Sequence, residues 1–448
     1  MKIISAAFLM ISAAMSSWAE LPASEIERLH QDLTPLGAER AGNGKAIPAW
    51  TGGLPQDKGP WESGFHPDPY AGEQALFRIE ASNLEAHKAQ LTEGQRQLLM
   101  RFPDMYLNVY PSHRSASYPD YVYEAIRTNA ATAKLLPYGS GVTGAVMSSP
   151  FPIPANGLEV LWNHTLRFRG QTVSYEAVSS LITASGQRMD TLREYNYYFK
   201  YSESGLQPSA LDNKVFLLTR ETLAPAHQAG SLTLVHETLD QMRSPRKSWI
   251  YTPGARRLRR TPDLAHDTPD VNSQSLRTID QVDMYNGAPD YYDWTLIGKQ
   301  EIYIPYNAYP VHQGNLRLDD ILQKHHLNPA LLRYELHRVW VIEANLRVGF
   351  SHRYSKRRYY LDEDSWSIVY AEEYDHHGLL VQVTEGHLIN YYDLQMMMTT
   401  LEVTYDFPSG RYYVEGLDNE RERSFRFFDT GLSENDFSTN AVRRQAKR

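Results

Sequence analysis

Five consecutive residues, Arg256-Arg257-Leu258-Arg259-Arg260, form the densest cluster of charge in the sequence. If this segment is a strand, Arg257 and Arg259 share one face, because side chains alternate along a strand. Arginine binds phosphate or carboxylate through a bidentate fork, so this pair is a candidate for holding an anionic head group. The alternative is ion pairing with the acids that follow. Those acids are Asp263, Asp267, Asp270, Asp280 and Asp283.

Other chemical motifs are weak or missing. The sequence has no Gly-x-Ser-x-Gly elbow, no His-Glu-x-x-His pair and no Walker-type loop. Asp362-Glu363-Asp364 lacks the spacing of a calcium loop, and we predict a solvated turn. The adjacent pairs His325-His326 and His376-His377 point apart in an extended chain, so they seldom chelate one ion. We predict no catalytic residue, no metal site and no cofactor; a secreted hydrolase with an Asp/Glu/His site is an open alternative.

Composition excludes several classes of protein. The chain has 448 residues, 42% apolar and 22% charged, which is typical of a globular protein with a large core. It contains no cysteine, which excludes disulfides, thiolate metal sites and a cysteine nucleophile. The net charge of −8 argues against general nucleic-acid binding. The 30 tyrosines favour strands and amphipathic surfaces.

The first 19 residues have the pattern of a secretory signal peptide. Lys2 provides a positive start, residues 3–15 are mostly apolar, and Ser17 and Ala19 are the small residues that precede a cleavage site. The apolar run is too short to cross a bilayer as a helix. We expect cleavage after Ala19 and export of a protein that does not span a membrane. In a diderm bacterium its location would be the periplasm.

Residues 20–165 are predicted to be helical and rich in loops. The segment 41–72 contains seven glycines and five prolines, together with Trp50 and Trp61. Thr92-x-x-Gln95 fits a capping box at the start of an amphipathic helix. Pro119-Asp120 and Asn156-Gly157 have the residue types that open two further helices.

Residues 166–440 have the alternating pattern of strands, and a basic tail follows over 441–448. Tyr195-x-Tyr197-x-Phe199 places aromatic side chains at every second position. Short turns with Gly, Asp or Pro separate many of the strands, which favours an antiparallel meander. Val339-Trp340-Val341-Ile342 is apolar on both faces, and such a strand must be covered twice. We therefore predict an α+β fold that is mainly β.

Several blocks of sequence resemble the bacterial proteins called domain-of-unknown-function family 1329. The likeness covers nearly all of the chain after the signal peptide. The densest block is Trp249-Ile-Tyr-Thr-Pro-Gly-Ala-Arg-Arg-Leu-Arg-Arg260. The remaining blocks are 33–43, 47–54, 66–69, 151–154, 157–159, 162–164, 236–240, 283–290 and 333–344.

That family is in turn similar to the lipoprotein-sorting proteins of the LolA and LolB class, over the C-terminal two-thirds. The resemblance implies a large, curved antiparallel sheet, an open half-barrel, with helices on its concave face and a cavity that takes acyl chains. It carries over no individual ligand-binding residue. Members of the first family tend to be encoded beside RND-type exporters and outer-membrane proteins, which implies a role in envelope transport and not in catalysis.

The leading hypothesis is a periplasmic carrier or chaperone, without enzyme activity, for a lipid, an acyl chain or a lipidated protein. It requires an apolar cavity of about 300 Å3 or more. The cavity candidates are Trp249, Tyr251, Trp294, Tyr303, Trp340, Ile342 and Tyr359, and the head-group candidates are Arg257 and Arg259. The alternative is a non-enzymatic adaptor between an RND-type inner-membrane exporter and an outer-membrane protein. It would use exposed aromatic residues in the Trp50/Trp61 segment.

Overall fold

The computed structural model describes residues 21–59, 64–261 and 266–446. The predicted signal peptide, Trp61 and Asp263 lie outside these residues. In the part of the chain that is described, no helix combines the length and the apolar character needed to cross a bilayer.

The α-helices of the described residues are short and concentrated in the first third of the chain. They are α1 (Ala23–Glu27), α2 (Leu84–His87), α3 (Glu93–Arg101), α4 (Asp120–Thr132), α5 (Gly157–Thr165), α6 (Tyr309–His312), α7 (Leu318–Ile321) and α8 (Thr439–Gln445). The predicted capping box is confirmed, because the Thr92 hydroxyl accepts from the Gln95 N–H at 3.1 Å and the Gln95 side chain accepts from the Thr92 N–H at 3.0 Å. Asn156 caps α5 by accepting from the Glu159 N–H.

Single 3-10 turns connect many of the elements. They are Arg28–His30, Lys88–Gln90, Pro137–Gly139, Lys200–Ser202, Pro208–Ala210, Pro253–Ala255, Val271–Ser273, Ile279–Gln281, Pro289–Tyr291, Pro329–Leu331 and Glu434–Phe437. Proline stands at the first or second position of several of them, where a missing N–H costs no hydrogen bond.

The β-strands of the described residues run through the whole chain. They are β1 (Phe77–Ile79), β2 (Leu107–Tyr110), β3 (Lys134–Leu135), β4 (Val142–Thr143), β5 (Thr172–Ile182), β6 (Arg188–Tyr198), β7 (Lys214–Ala224), β8 (Leu232–Thr238), β9 (Lys247–Thr252), β10 (Arg257–Thr261), β11 (Tyr292–Pro305), β12 (Tyr334–Leu346), β13 (Lys356–Asp362), β14 (Ile368–Tyr374), β15 (Leu380–Tyr391), β16 (Met396–Asp406), β17 (Arg411–Leu417) and β18 (Arg426–Phe427). Among these described strands, β3 and β4 form a separate pair, and the others belong to one large sheet.

The large sheet is open and almost entirely antiparallel. Strands β11 to β17 follow one another in order, β5 to β10 do the same, and the pairing of β17 with β5 joins the two series. The exception is β2, which pairs in parallel with the start of β12 and carries β1 on its other side. Among the described strands the meander ends at β11 and at β10, so the sheet does not close into a barrel. The predicted fold, mainly β with a large open sheet, is confirmed.

The sheet is also strongly curved. Three strands separate β11 from β15, and in a flat sheet their axes would lie about 19 Å apart. Cα atoms of β11 nevertheless approach those of β15 to within 8 Å. Just beyond β11, the Ala308 N–H donates to the Leu388 carbonyl of β15 at 2.9 Å. The sheet therefore coils around the residues between these strands.

Cross-strand pairs identify the two faces of the sheet. The residues that trace one face from β12 to β6 are Ile342, Tyr359, Ala371, Thr384, Thr404, Tyr413, Leu181 and Met189. We call this the front face. Their neighbours along each strand, such as Val341, Tyr360, Tyr412 and Tyr198, lie on the back face.

Both faces of the strands β11 to β17 are covered, as their apolar sequences require. On the front, α5 packs against β11 and β12, and Leu276 packs against Leu181 and Tyr413. On the back, α3 packs against β15. The contact is close at Gly94, where a Cβ atom would lie 2.4 Å from the Val383 side chain.

The C-terminal helix covers the back of the other half of the sheet. Phe437 and Val442 are buried against Leu217, Leu232 and Leu234 of β7 and β8. The basic tail predicted from residue 441 onward is therefore helical as far as Gln445 and contributes an apolar residue to this packing.

Candidate functional site

A cavity of about 100 Å3 lies on the front face of the sheet. Strands β5, β6, β16 and β17, residues 166–170 after α5, and a segment near the C-terminus form its walls. The lining residues are Arg167, Arg169, Val173, Tyr175, Tyr197, Phe199, Val282, Asp283, Met398, Thr399, Thr400, Leu401, Glu402, Glu415, Gly416 and Phe425. The volume is below the 300 Å3 or so that a ligand pocket usually has.

One wall of the cavity is aromatic. The rings of Tyr175 and Phe425 stack with centroids 3.8 Å apart, and Tyr175 also stacks on Tyr195 at 4.8 Å. Tyr197 and Phe199 continue the wall along β6, with centroids 5.5 Å apart. The alternating sequence of β6 produces this row, because every second side chain of a strand faces the same side.

The charged wall of the cavity, which adjoins Phe199, carries two guanidinium groups on one carboxylate. Arg167 Nη2 lies 2.5 Å from Asp283 Oδ1, and Arg169 Nη1 lies 2.5 Å from Asp283 Oδ2. Because the two arginines favour the ionised acid, the pKa of Asp283 is lowered to about 2 despite its burial. Arg169 also lies over the Phe199 ring, 4.6 Å from its centroid. The pair of arginines therefore brings more positive charge to this wall than Asp283 balances.

Two neighbouring carboxyl groups of the cavity differ in protonation. Glu402 and Glu415 are cross-strand partners on β16 and β17, and Arg277 binds Glu415 at 2.5 Å but Glu402 only at 3.4 Å. Burial raises the pKa of Glu402 to about 8. Arg277 holds the pKa of Glu415 below its usual range. Near neutral pH, Glu402 can donate a hydrogen bond to a bound molecule, whereas Glu415 can only accept one.

A glycine bulge helps to place Glu415 at the cavity. Between Val414 and Leu417 the pairing of β17 with β5 shifts register. Gly416 has φ of 92° there, and a Cβ at this position would lie 2.7 Å from the Thr400 carbonyl oxygen. Only glycine fits this close approach without strain. Such a bulge changes the direction of the side chains beside it.

Four of the seven predicted cavity residues cluster on the front face, outside this cavity. Trp294 stacks on Tyr359 with centroids 5.9 Å apart, and the Trp294 Nε1–H donates to the Pro289 carbonyl at 2.9 Å. Ile342 is fully buried beside them, and Trp340 stacks on Trp366 at 6.0 Å. In this structure, α5 and residues 266–290 cover this group.

The other three predicted cavity residues lie apart from that group. Tyr303 lies near the end of β11, edge-on to the rings of Phe77 and His87. Trp249 and Tyr251 lie on the back face, in the apolar cluster that includes Phe437 and Val442 of the C-terminal segment. The structure thus distributes the seven residues over three places, and none of them lines the front-face cavity.

The head-group candidates Arg257 and Arg259 are exposed on β10, at the edge of the sheet, on the front side. Among the described residues no carboxylate lies within 4.0 Å of either guanidinium group. Asp270, Asp280 and Asp283 instead pair with other arginines. These arginines are Arg277, Arg357, Arg167 and Arg169.

The sequence analysis missed the residues that line the cavity. Asp283 contacts arginines that lie 116 and 114 residues earlier in the chain, so no local spacing relates them. Glu402 and Glu415 are acids within strands that are otherwise largely apolar. Such a position is a signal of a buried ion pair, since an unpaired acid is costly in a core.

Two other predictions can be compared with the structure. The turn Asp362-Glu363-Asp364 is buried, so the prediction of a solvated turn is wrong. Arg114 and Arg338 bind its acids, which compensates for their loss of water. Trp50 is half-buried, and its Nε1–H donates to the Ala116 carbonyl at 3.1 Å.

Known proteins similar to this chain share most of its length. A family model described as a protein of unknown function, DUF1329, matches residues 78–443. The uncharacterized protein PA3922 from Pseudomonas aeruginosa is 42% identical over 433 residues, which are 96% of this chain and 95% of that protein.

Two solved structures are similar in fold to part of the chain. A DUF1329 family protein from Desulfovibrio piger is 16% identical, with a TM-score of 0.40 over 61% of this chain and 92% of that one. The LolA superfamily protein NE2245 from Nitrosomonas europaea is 14% identical, with a TM-score of 0.37 over 64% of this chain and 99% of that one.

Proposed function

Because the chain belongs to the DUF1329 family of proteins of unknown function, we propose its role from its own geometry: it is a periplasmic carrier that buries the apolar part of an amphipathic ligand on the front face of its sheet. The ligand class is a lipid, an acyl chain or a lipidated protein, and the mechanism is burial without a reaction. The observation that carries this proposal is the outer wall of the aromatic cavity.

That wall is residues 418–428, which we call the strap. Phe425 of the strap lines the cavity, whereas its neighbours Ser424 and Arg426 line an open groove of about 220 Å3 on the other side. Tyr175 lines both spaces. The cavity and the groove are therefore neighbours, with Tyr175 and the strap residues beside Phe425 between them.

The strand pairing of the strap is short, although its Phe425 and Phe427 are buried in the core and its Asn419 donates to the Val311 and Gln313 carbonyls. Its strand β18 pairs with β5 through two residue pairs, Arg426 with Ser174 and Phe427 with Val173. The Ser424 hydroxyl donates to Asp418 at 2.5 Å, within the strap itself. Short pairings of this kind open at lower free energy than the long strands around them. We propose that a ligand enters when the strap moves and the cavity and the groove merge.

Burial of an acyl chain would supply enough free energy for such an opening. Each CH2 group removed from water contributes about 0.8 kcal/mol. A chain of ~16 carbons therefore gains on the order of 10 kcal/mol before ordering costs. The cavity of about 100 Å3 holds only a fraction of such a chain, so binding and displacement of the strap would occur together.

The charged wall suits the polar end of the ligand. Arg167 and Arg169 share one acid, and an anionic group entering beside Asp283 would meet the guanidinium that this acid does not neutralise. Arg257 and Arg259 remain candidates for an anionic group outside the cavity. We keep the front-face residues Trp294, Trp340, Ile342 and Tyr359 as proposed apolar contacts for longer ligands. Tyr303, Trp249 and Tyr251 would contact a ligand only at other places on the sheet.

The periplasmic location is supported by the sequence of residues 1–19. Expression of the full chain in a diderm bacterium, followed by fractionation and mass determination, tests it. The expected product is a periplasmic protein that begins at Glu20. A cytoplasmic product that retains Met1 would contradict this part of the proposal.

The adaptor between an RND-type exporter and an outer-membrane protein is the competing proposal. It requires exposed aromatic residues, and the partly buried Trp50 offers little free surface. Cross-linking in cells distinguishes the two roles. Capture of an exporter and an outer-membrane protein, with no ligand bound, would favour the adaptor.

Native mass spectrometry of the protein purified from the periplasm tests the carrier directly. We expect a co-purifying lipid, and micromolar binding of a fluorescent fatty acid by the delipidated protein. Arg167→Met should weaken the binding of a fatty acid more than the binding of a fatty alcohol of equal length, because only the acid carries a charge. Arg188→Met, which removes an arginine outside the cavity, is the control. Failure of the wild-type protein to bind either probe would contradict the proposal.

A further inference from the structure

Three buried side chains with metal-ligand chemistry meet where β12 and β13 lie side by side. His337 belongs to β12, Asp362 ends β13, and Asp364 lies in the turn before β14. Their exposed fractions are 1%, 0% and 4%. One donor atom from each residue lies within 4.8 Å of the other two. The three residues are far from the front-face cavity in sequence and do not line it.

The carboxylate of Asp362 is not satisfied by its surroundings. Its Oδ2 accepts from the Ser365 hydroxyl at 2.6 Å, but its buried Oδ1 has no hydrogen-bond partner in the described part of the chain. Within those same residues no Lys or Arg lies within 4.0 Å of it. A cation close to Oδ1 would satisfy this buried carboxylate oxygen.

The cations nearby are already engaged with other acids. Arg114 binds both oxygens of Asp364, at 2.8 and 2.6 Å. Arg338 and Lys299 bind Glu363, each at 2.8 Å. The basic side chains nearby therefore bind the neighbours of Asp362, and within the described residues none of them binds Asp362 itself.

His337 is held in the way that metal-bound histidines usually are. Its Nε2 lies 3.2 Å from Glu335 Oε2, and Arg333 fixes Glu335 from the other side at 2.6 Å. The ring packs on Tyr306 with centroids 4.0 Å apart. A carboxylate that orients an imidazole is the common outer partner of a metal ligand.

We propose that His337, Asp362 and Asp364 form a buried structural site for one divalent transition-metal ion, with Zn²⁺ as the best match. One nitrogen and two carboxylate donors are typical zinc ligands, and tetrahedral bonds of about 2.0–2.2 Å would draw donor atoms that now lie within 4.8 Å to about 3.5 Å from one another. The ion would link β12 to the turn between β13 and β14. The sequence analysis found no metal site because His337 and Asp362 are neighbours only in the folded sheet.

Calorimetric titration of Zn²⁺ alone into tag-free mature protein, stripped with a chelator, tests the site. We expect a single equivalent to bind and to raise the melting temperature. Glu335→Gln should weaken binding by roughly 10–100-fold, as loss of an outer partner does. Asp362→Asn, which keeps the shape of the side chain, should weaken it further. The double variant His376→Ala/His377→Ala removes a surface histidine pair and should bind as the wild type does.

Circular dichroism of each variant establishes that the fold is retained before binding is compared. The proposal is overturned if folded wild-type protein binds no Zn²⁺, or if Asp362→Asn binds it as tightly as the wild type. Loss of the equivalent in the His376/His377 variant would also overturn it, since the ion would then be adventitious on the surface. Binding of Ca²⁺ in preference to Zn²⁺ would contradict the nitrogen ligand.

Discussion

The two halves of the sheet differ in how they are covered. In the β11–β17 half, β14 is buried along its whole length and β15 along nearly all of it. In the β5–β10 half, β5 is still largely buried, but β6 begins with three exposed residues and then mixes partly buried with buried ones, and β10 is mostly exposed. Among the described α-helices, α8 covers the back of this second half. The doubly covered half is built as a scaffold, whereas the cavity and the strap lie where the two halves meet.

Two arginines illustrate the difference between the ends of the sheet. Arg357 in the first half is fully buried and binds Asp280 at 2.7 Å, with Glu373 at 3.7 Å. At the far edge of the second half, Arg259 is exposed and has no acid partner among the described residues. The first pair is fixed by packing, whereas an exposed arginine remains available to a ligand.

Substitution of Arg357 by alanine should have the largest effect on stability. It leaves Asp280 and Glu373 buried without their cation, which costs about 3–5 kcal/mol. Urea unfolding followed by circular dichroism measures the loss. Arg259→Ala is the matched control and should change stability by less than about 0.5 kcal/mol. Equal losses in the two variants would contradict the difference between the halves.

A pair of isoleucines on the front face sharpens the same comparison. Ile342 of β12 is fully buried, whereas Ile250 of β9 is only partly buried. Ile342→Ala should cost about 2–4 kcal/mol, because it leaves a cavity in a covered core. Ile250→Ala should cost less than about 1 kcal/mol. Thermal unfolding of both variants gives the ratio of their two losses of stability. A ratio near one would show that the second half of the sheet is packed as tightly as the first.

The pH dependence of stability should report the ionisation of Glu402, which lies where the two halves of the sheet meet. Its pKa is about 8 in the folded protein and 4.5 ordinarily, so the folded chain holds the proton more tightly. The stabilisation that comes from the protonated Glu402 is complete below about pH 4.5 and is lost as the pH rises through about 8. Glu402→Gln should make the decline shallower and stabilise the protein at pH 8 by on the order of 1 kcal/mol.

Melting curves between pH 5 and 9 measure this difference. Glu420→Gln, which removes an exposed acid of the strap, should leave the wild-type profile unchanged. A profile of Glu402→Gln parallel to that of the wild type would mean that Glu402 is already ionised in the folded protein.

Local patterns in the sequence were sufficient to predict much of the fold. The Thr92-x-x-Gln95 box, the helix after Pro119 and the alternation in β6 depend on residues within one element, so they can be recognised without the fold. That both faces of the strand are covered at Val339–Ile342 could be predicted for the same reason, since the side chains on both faces are apolar. Curvature and an open edge were expected from family resemblance, not from the residues.

The candidate site could not be predicted in this way. Asp283 meets Arg167 and Arg169 only in the folded protein, because they lie 116 and 114 residues earlier in the chain. The strap contains a strand of two residues, which is too short to produce an alternating pattern. The back-face position of Trp249 depends on register through several strands, and a shift of one residue would reverse it.

A disulfide across the strap tests the central claim most directly. The chain has no cysteine, so Ser174→Cys/Arg426→Cys places one engineered pair at opposed positions of β5 and β18. Asn345→Cys/Lys356→Cys, an opposed pair in β12 and β13, is the matched control in the scaffold half. We predict that the oxidised strap variant loses binding of a fluorescent fatty acid, that reduction restores it, and that the control binds in both states. Undiminished binding by the oxidised strap variant would contradict the account.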